Sequence, residues 1–505
     1  MRTKKSGAFV NICLVALAVL SVFVIGSFAI YNYSIAKEEF YGGTLINGVE
    51  VGGMNIAEAT NVVQANFNSS IKDISVTFKY KDKVWNYTYK DFEAVDDISS
   101  LIANAYNNVT SSNIFERRLK YKEFQKNDKK INISYRNMLG GFSEKIDAVS
   151  NDIYQELKEP EVHFNPSNPK ALFTYVEGQA EIVVDRQALE NLIDTSFLSS
   201  RTIVVQIPTI EVLPKQTVQD LKDKTQLRSE FSTSYANSTK NRKSNVKTAL
   251  GAFNGKVVMP NEEVSFNQTT GARTKENGYK PANIILNGIY VEGSGGGVCQ
   301  ASTTLYNALI LSNLQITEVN KHSLPASYVP LAFDAMVSEG ISDLKFINNT
   351  SEPIYIKAWG DNQKVYVQIY GLPFENGEYY KTRSEFVRTI PHPGDKIISD
   401  SGEYSNKVTF KGEYLRVKYP QEGYEANAYL QRYSADGELL EEILIRHEIY
   451  NPQGGIIVEG IEELYDGVTL PDNSVKFIPP QAGSNTNSNN VQNIISGSNN
   501  EKYNP

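Results

Sequence analysis

Cysteine and histidine are scarce in this sequence. Among 505 residues there are two cysteines, Cys13 and Cys299, and four histidines. Small disulfide-stabilised scaffolds need more cysteines, so the sequence does not belong to that class. No HExxH or CxxC spacing occurs, and the sequence therefore predicts neither a metal site nor another cofactor.

Positive charge is also in short supply. Lysine and arginine together number 50 against 58 aspartates and glutamates, which gives a net charge of −8. A nucleic-acid binder needs a concentrated positive face to neutralise phosphates, so that class is excluded. Hydrophobic residues make up 41% of the chain, which is enough for a buried core and excludes wholesale disorder. At roughly 150 residues per domain, the length predicts about three folded units.

An uncharged apolar run, AFVNICLVALAVLSVFVIGSFAI, occupies residues 8–30. A helix of this length, at about 1.5 Å per residue, crosses a hydrocarbon core of about 30 Å. Three basic residues precede it, so residues 1–7 are expected in the cytoplasm and the chain beyond residue 31 outside. A cleaved signal peptide is the alternative, but the residues that follow Ile25 match a small-residue cleavage site poorly. The sequence therefore predicts a single-pass membrane protein anchored in the cytoplasmic membrane.

The rest of the chain divides by its turn residues and periodicity into a multidomain α+β protein. Residues 41–222 combine alternating apolar strands with helical segments, and residues 223–372 form a second α+β unit. Residues 375–466 read as all-β, with Asp436-Gly437 as a hairpin turn between two alternating runs. Residues 480–505 are polar and of low complexity, which predicts a flexible tail.

Cys299 is predicted to lie outside the membrane without an intramolecular partner. It follows the glycine-rich run GSGGG and precedes apolar residues at helical spacing, so it is expected at a helix N-terminus. The helix dipole there stabilises a thiolate, and the backbone N–H groups of Gly296, Gly297 and Val298 are predicted to bind an oxyanion. An inert, buried thiol is the alternative.

A thiol nucleophile needs a base, and imidazole is the usual one. His322 is the only histidine in the same predicted unit, 23 residues after Cys299. The group that orients the imidazole is predicted to be Asp334, with Asp343 or a backbone carbonyl as alternatives that the sequence does not separate.

Arg273 is predicted to contact the substrate. A guanidinium binds a carboxylate with two parallel hydrogen bonds, although a solvated loop arginine is an equally valid interpretation of this residue. Asn267 and Tyr279, on either side of Arg273 in the sequence, are predicted to join it in substrate binding.

Several long motifs give the central unit a family resemblance. The runs NVKTALGAFNGKVVMPNEEVSFN, TGARTKENGYKPANIILNG, GSGGGVCQASTTLYNAL and KHSLPASYVPLAFDAMV resemble the VanW domain of bacterial cell-envelope proteins, over about residues 227–371. Residues 41–222 are similar to the peptidoglycan-binding module often found before VanW domains. Residues 375–466 are similar to the G-five β-module that commonly follows.

The resemblance implies a role in the peptidoglycan wall of Gram-positive bacteria, with stem peptides and glycan as partners. It also implies L,D-transpeptidase activity, in which Cys299 matches the cysteine of the GGGxCQ motif and His322 the histidine of the HS motif. Arg273 matches the arginine of the GxRT motif. Two alternatives remain open: a non-catalytic wall-binding scaffold, and a cysteine hydrolase acting as L,D-carboxypeptidase or endopeptidase.

Overall fold

The computed structural model describes residues 4–286, 289–465, 467, 469 and 476–477. These residues form two compact units. The first contains the chain up to Glu159 together with Gly178–Lys215, and the second contains Pro160–Glu177 together with the chain from Gln216 onward. The predicted tail at 480–505 lies outside the described residues.

The first unit begins with helix α1 (Lys4–Ala36), which includes the predicted apolar run. Within it, Val10–Tyr33 is long and apolar enough to cross a membrane, and its large apolar side chains are exposed. Such exposure suits a lipid environment, because in water these side chains would be buried in a core.

The rest of the first unit is an α+β module built around a short mixed sheet. The chain continues through β1 (Leu45–Ile46), β2 (Val49–Glu50), α2 (Ile56–Ser70), β3 (Ser75–Tyr80), β4 (Lys83–Thr88), β5 (Glu93–Ala94), α3 (Ser99–Val109), α4 (Ile114–Lys126), β6 (Lys130–Ile131), β7 (Leu139–Gly140) and α5 (Phe142–Ile153). After the hairpin β8 (Glu161–Phe164) and β9 (Phe173–Val176), it resumes with β10 (Glu181–Val184), α6 (Arg186–Phe197), β11 (Thr202–Gln206) and β12 (Thr209–Val212). Strand β3 lies between β11 and β4, parallel to the first and antiparallel to the second.

Two helices of this unit show how the sequence sets their ends and buried faces. Helix α2 starts with a capping box between Asn55 and Glu58, which satisfies two backbone N–H groups. Its buried side chains recur every four residues, so one stripe faces the core. Helix α6 starts at the N-cap Asp185, whose side chain accepts a hydrogen bond from the Ala188 N–H.

The hairpin β8–β9 differs from the sequence expectation, which placed it in the module at 41–222. It belongs to the second unit because its aromatic side chains pack there: the ring centroids of Phe164 and Phe173 lie 5.4 and 5.2 Å from that of Tyr355. The hydroxyl of Tyr175 also lies 2.6 Å from that of Thr225.

The second unit is larger and continues from α7 (Val218–Asp223). Its central part contains β13 (Gln226–Ser234), α8 (Lys240–Gly251), β14 (Lys256–Val258), β15 (Glu263–Ser265), α9 (Phe266–Thr270), β16 (Pro281–Leu286), β17 (Ile289–Ser294), α10 (Val298–Leu311), β18 (Gln315–Glu318), β19 (Lys345–Ile347), β20 (Ile354–Gly360) and β21 (Lys364–Gly371). An antiparallel sheet in the order β13-β21-β20-β14 packs against α10, which is almost entirely buried.

The C-terminal part is all-β, as the sequence predicted. It contains β22 (Tyr379–Ile390), β23 (Asp395–Ser399), β24 (Tyr414–Lys418), β25 (Gly423–Tyr433), β26 (Leu439–Tyr450), β27 (Gly455–Glu459) and β28 (Lys476–Phe477). The predicted hairpin at Asp436-Gly437 joins β25 to β26, with Gly437 at φ +86°. Strands β22, β25 and β26 form one sheet, and three of its side chains belong to the same hydrophobic core as α10: Ala426, Ala428 and Tyr450. The predicted boundary near residue 372 therefore does not separate two cores, although the multidomain α+β class is confirmed.

Candidate active site

Cys299 is the second residue of helix α10, whose predicted start is confirmed. The N-cap is Gly297, at φ +103° in the left-handed region that favours glycine. A Cβ on Gly297 would lie 2.8 Å from Cγ of Arg242 and 3.0 Å from Cγ2 of Val246. Glycine is thus required both by the backbone conformation and by the close packing of α8, and the turn carries the thiol to the helix N-terminus.

The Cys299 side chain is partly buried, and its sulfur has two polar neighbours. The sulfur lies 3.4 Å from the backbone oxygen of Val337, and the His322 side chain is close enough to lower the pKa of the thiol. The structure thus brings together the two residues that the sequence paired as nucleophile and base.

Asp334 holds the other side of the His322 imidazole. Nδ1 of His322 lies 2.6 Å from Oδ2 of Asp334, and the backbone N–H of His322 donates to the same oxygen at 2.6 Å. The Asp334 side chain is only 1% exposed and that of His322 14%. Because Nδ1 faces the carboxylate, Nε2 is the ring nitrogen left for the sulfur, and the order is carboxylate, imidazole, thiol.

These contacts shift the pKa values in the directions that favour an ion pair. Burial alone would raise the pKa of the Cys299 thiol, but the hydrogen bond and charge of His322 outweigh it and lower the pKa. Burial would lower the pKa of His322, yet the hydrogen bonds to Asp334 and Cys299 raise it to about 10. His322 likewise lowers the pKa of Asp334 against the effect of burial. The proton is therefore held more strongly by the imidazole than by the thiol, and the shifts favour the thiolate–imidazolium pair over the neutral pair.

Polar residues on the buried face of α10 hold the Asp334 segment in place. Ser302 Oγ donates to the Ala335 carbonyl at 2.6 Å, and the Ala335 N–H donates to Thr303 Oγ1 at 3.0 Å. Asn307 Nδ2 donates to the Phe333 carbonyl at 2.9 Å. The helix that carries the sulfur thus also fixes the carboxylate. The sequence signal was the presence of polar residues at these positions in an otherwise apolar helix, and sequence reasoning missed it.

Two further residues at Asp334 come from β26 and were also missed. The Tyr450 hydroxyl donates to Oδ1 of Asp334, and Arg446 Nη1 donates to the Asp334 backbone carbonyl at 2.6 Å. They follow Asp334 by more than 110 residues. No local pattern in the sequence signals this contact.

Arg273 lies beside the glycine turn that precedes Cys299. A Cβ on Gly295, at φ +83°, would lie 3.1 Å from Cβ of Arg273. Nη2 of Arg273 donates to Oδ1 of Asn267 at 2.5 Å, and Asn267 Nδ2 donates to the Ser342 carbonyl. The charge of Arg273 also contributes to the lowered pKa of Cys299. Asn267 therefore orients Arg273 in this structure.

Two predicted contacts need correction. Tyr279 is only 2% exposed and packs in the core, so its ring supports the Arg273 loop and does not face a substrate. The N–H of Val298 donates to the Gly295 carbonyl at 3.1 Å, so this predicted oxyanion donor is already engaged in the turn. Oxyanion binding by the N–H groups of Gly296 and Gly297 stays a prediction.

The alternative orienting group Asp343 is engaged elsewhere. It accepts hydrogen bonds from Ser265 Oγ at 2.5 Å and from the N–H of Asn267 at 2.9 Å. In the part of the chain that the structure describes, no group of three or more histidine, cysteine or acidic side chains could hold a metal ion.

Asn245 is another residue that sequence reasoning missed. It is fully buried on α8, and its Nδ2 donates to the Gly296 carbonyl at 3.0 Å and to the Lys280 carbonyl at 2.8 Å. Its Oδ1 accepts from the Lys280 N–H at 2.8 Å. A single amide therefore ties the glycine turn to the start of β16.

Known proteins share the segment that carries this site. Residues 241–370 match the family described as "VanW like protein". The chain is 34% identical over 207 residues to "Uncharacterized protein YoaR" of Bacillus subtilis (strain 168), a match that covers 41% of this chain and 68% of the relative. It is 31% identical over 135 residues to "Vancomycin B-type resistance protein VanW" of Enterococcus faecalis (strain ATCC 700802 / V583), covering 26% of this chain and 49% of the relative.

Among solved structures, "Crystal structure of HP0197-G5" matches 16% of this chain and 97% of its own length at 17% identity. Its TM-score of 0.10 is too low to assign a fold. The family match and the extent of the YoaR alignment agree, and the chain belongs to the VanW-like family.

Proposed function

We propose that the protein is a cell-wall L,D-transpeptidase in which Cys299 is the nucleophile. The observation that supports this most strongly is the Cys299–His322–Asp334 arrangement at the N-terminus of α10. A thiolate paired with an imidazolium that a carboxylate orients is the arrangement that acyl transfer through a thioester requires.

In the first step, the Cys299 thiolate attacks the carbonyl carbon of the third residue of a tetrapeptide stem. A carbon–sulfur bond forms, and the negative charge on the former carbonyl oxygen is held by the N–H groups of Gly296 and Gly297 at the start of α10. The intermediate collapses by breaking the amide bond to the terminal D-alanine. His322 gives its Nε2 proton to the leaving amine, and a thioester remains on Cys299.

In the second step, a side-chain amine of another stem attacks the thioester. His322, now neutral, removes a proton from the amine, the carbon–sulfur bond breaks, and Cys299 leaves as a thiolate. The products are a 3→3 cross-link and free D-alanine. A thiolate leaves readily and an amine is a better nucleophile than water, so a partly buried thioester favours transfer over hydrolysis.

Arg273 is the proposed contact for a carboxylate of the stem. It lies against the glycine turn and its charge lowers the pKa of Cys299, and both observations support this role. A fixed guanidinium binds a carboxylate with geometry that a lysine does not reproduce.

The remaining parts of the chain are proposed to keep this site at the wall. In this proposal α1 anchors the protein in the cytoplasmic membrane with residues 1–7 inside. The module at 41–222 binds peptidoglycan, and residues 375–466 form the G-five-like part.

The test is an assay of purified protein on disaccharide-tetrapeptide muropeptides, with products identified by mass spectrometry. Wild type is expected to release D-alanine and form 3→3 dimers. Cys299→Ala is expected to form none, while Cys13→Ala, the matched control at the other cysteine, keeps wild-type activity. Tripeptides without dimers would indicate a hydrolase, and no reaction together with a thiol that iodoacetamide modifies only after denaturation would indicate a scaffold.

A further inference from the structure

Strand β26 reaches the active site through the side chain of Tyr450. Tyr450 is 1% exposed, and its hydroxyl donates to Oδ1 of Asp334 while it accepts the Ala332 N–H at 3.0 Å. Ala332 has φ +68°, a conformation uncommon for alanine, which this hydrogen bond helps to hold. Both functions of the hydroxyl, donor and acceptor, are therefore used at the segment that carries Asp334.

Arg446 makes the second contact from the same strand. Its Nη1 donates to the Asp334 backbone carbonyl, and its Nε and Nη2 donate to Oε1 of Glu448 at 2.9 and 2.7 Å. Its guanidinium carbon lies 5.6 Å from the centroid of the Tyr306 ring. Arg446, Glu448 and Tyr450 alternate along β26, so all three side chains project from one face of the sheet.

The carboxylate of Asp334 is thus held from two sides. Oδ2 accepts two hydrogen bonds from His322, and Oδ1 accepts one from Tyr450. The Tyr450 bond prevents the carboxylate from rotating about its own axis, so Oδ2 stays aligned with Nδ1 of His322. Glu448 neutralises part of the charge that Arg446 brings to this region.

We propose that Tyr450 and Arg446 are positioning residues of the Cys299 site, which makes the β22–β25–β26 sheet a working part of the catalytic unit. Neither residue touches the substrate; each acts through Asp334, and so through His322, on the thiolate. Both lie beyond the segment 241–370 that matches the family description. The predicted loss of transpeptidase activity rests on the proposed function, whereas the predicted change in the reactivity of the Cys299 thiol does not.

The test compares full-length Tyr450→Phe with wild type in two assays. The first measures the rate of Cys299 alkylation by iodoacetamide against pH, in a Cys13→Ala background so that one thiol reacts. The groups that face Asp334 are His322, Tyr450 and Arg446, with Tyr306 and Tyr328 near it. Without the Tyr450 hydrogen bond, the carboxylate can rotate away from Nδ1 of His322, so the imidazolium and the thiolate are both stabilised less. The acidic inflection of the alkylation rate should therefore move upward by about 0.5–1 pH unit.

The second assay measures transpeptidation. Because Tyr450 is buried away from the substrate, kcat should fall about 10-fold while KM stays within about 2-fold of wild type. Tyr429→Phe is the matched control, since the Tyr429 hydroxyl donates to Glu385 at 2.9 Å on the same sheet. It should leave both assays unchanged.

Arg446 supplies a second pair of variants. Arg446→Lys keeps a donor for the Asp334 carbonyl and is expected to retain more activity than Arg446→Met. If folded Tyr450→Phe had the wild-type pH profile of Cys299 alkylation and the wild-type kcat, the proposal would be overturned. If Tyr450→Phe did not fold, equal activity of folded Arg446→Lys and Arg446→Met would overturn it instead. If Tyr450→Phe shifted the alkylation profile but even wild type formed no dimers, the positioning role would be retained and the transpeptidase function rejected.

Discussion

His322 Nδ1 lies 2.6 Å from Oδ2 of Asp334, and the same carboxylate oxygen accepts the His322 backbone N–H at 2.6 Å. Two hydrogen bonds from one residue to one oxygen fix both the position of the imidazole and its tautomer. The other ring nitrogen, Nε2, is therefore the one available to the Cys299 sulfur. This relationship determines the expected consequences of changing pH or residues at the site.

The pH dependence of Cys299 alkylation should differ from that of an ordinary thiol. Because His322 lowers the pKa of Cys299, the reactive thiolate is present above this lowered value and is lost as pH falls through it. The acidic inflection of the alkylation rate is therefore expected below pH 9. His322→Ala should move it upward, since burial then raises the pKa without the contribution of His322, which is the largest of the effects that lower it. An unchanged inflection in that variant would contradict the ion pair.

Transpeptidation should also decline at high pH. The pKa of His322 is raised to about 10, so the imidazolium that is proposed to protonate the leaving D-alanine is present below this pH and lost above it. The kcat profile of wild type should be bell-shaped, with its basic limb near pH 10. A basic limb near pH 6.5, the ordinary value for histidine, would show that His322 is not stabilised in its charged form.

Asp334→Asn should abolish most activity with little change in side-chain volume. The Asp334 carboxylate can only accept a hydrogen bond and so keeps a proton on Nδ1 of His322. The asparagine amide carries no charge and can also donate to Nδ1, so the tautomer with its proton on Nε2 is no longer disfavoured. An Nε2 proton that faces the sulfur prevents the imidazole from acting as a base, and kcat should fall about 10³–10⁴-fold. Steady-state kinetics measure this, with melting temperature as the folding control. A loss below about 10-fold would contradict the assigned role.

Gly297→Ala should damage the start of α10. The φ of +103° is strained for alanine, and the new Cβ would meet Arg242 Cγ at 2.8 Å. We expect a cost of about 1–3 kcal/mol, seen as a lower melting temperature and slower Cys299 alkylation. Gly251→Ala is the control, because nothing lies within 4 Å of its Cβ and its φ is ordinary. Equal melting temperatures for the two variants would be inconsistent with the turn geometry.

Arg273→Met should weaken binding of the donor stem. Losing a charge-assisted hydrogen bond to a carboxylate should raise KM about 10–100-fold. Lys275→Met, an exposed neighbour in the same loop, should leave KM unchanged. If both variants kept the wild-type KM, Arg273 would be a packing residue for the glycine turn only.

Local sequence signals predicted the parts of the site that local structure determines. The glycines before Cys299 and the apolar spacing after it located the N-terminus of α10, and Asp436-Gly437 located the hairpin between β25 and β26. The contact between Tyr450 and Asp334 could not be predicted in this way, because it depends on how two sheets and a helix pack over a separation of 116 residues. Tyr279 was misassigned for the same reason: a tyrosine that follows Arg273 in the sequence has the same local pattern whether its ring faces solvent or the core.

The most direct measurement is the mass of the acyl-enzyme on wild-type protein mixed with a tetrapeptide muropeptide and quenched in acid. We predict an adduct equal to the donor stem without its terminal D-alanine, mapped to the peptide that contains Cys299 and released by hydroxylamine. It should be absent from Cys299→Ala and present in Cys13→Ala. Formation of 3→3 dimers by Cys299→Ala at the wild-type rate, or an adduct on any other residue, would contradict the account.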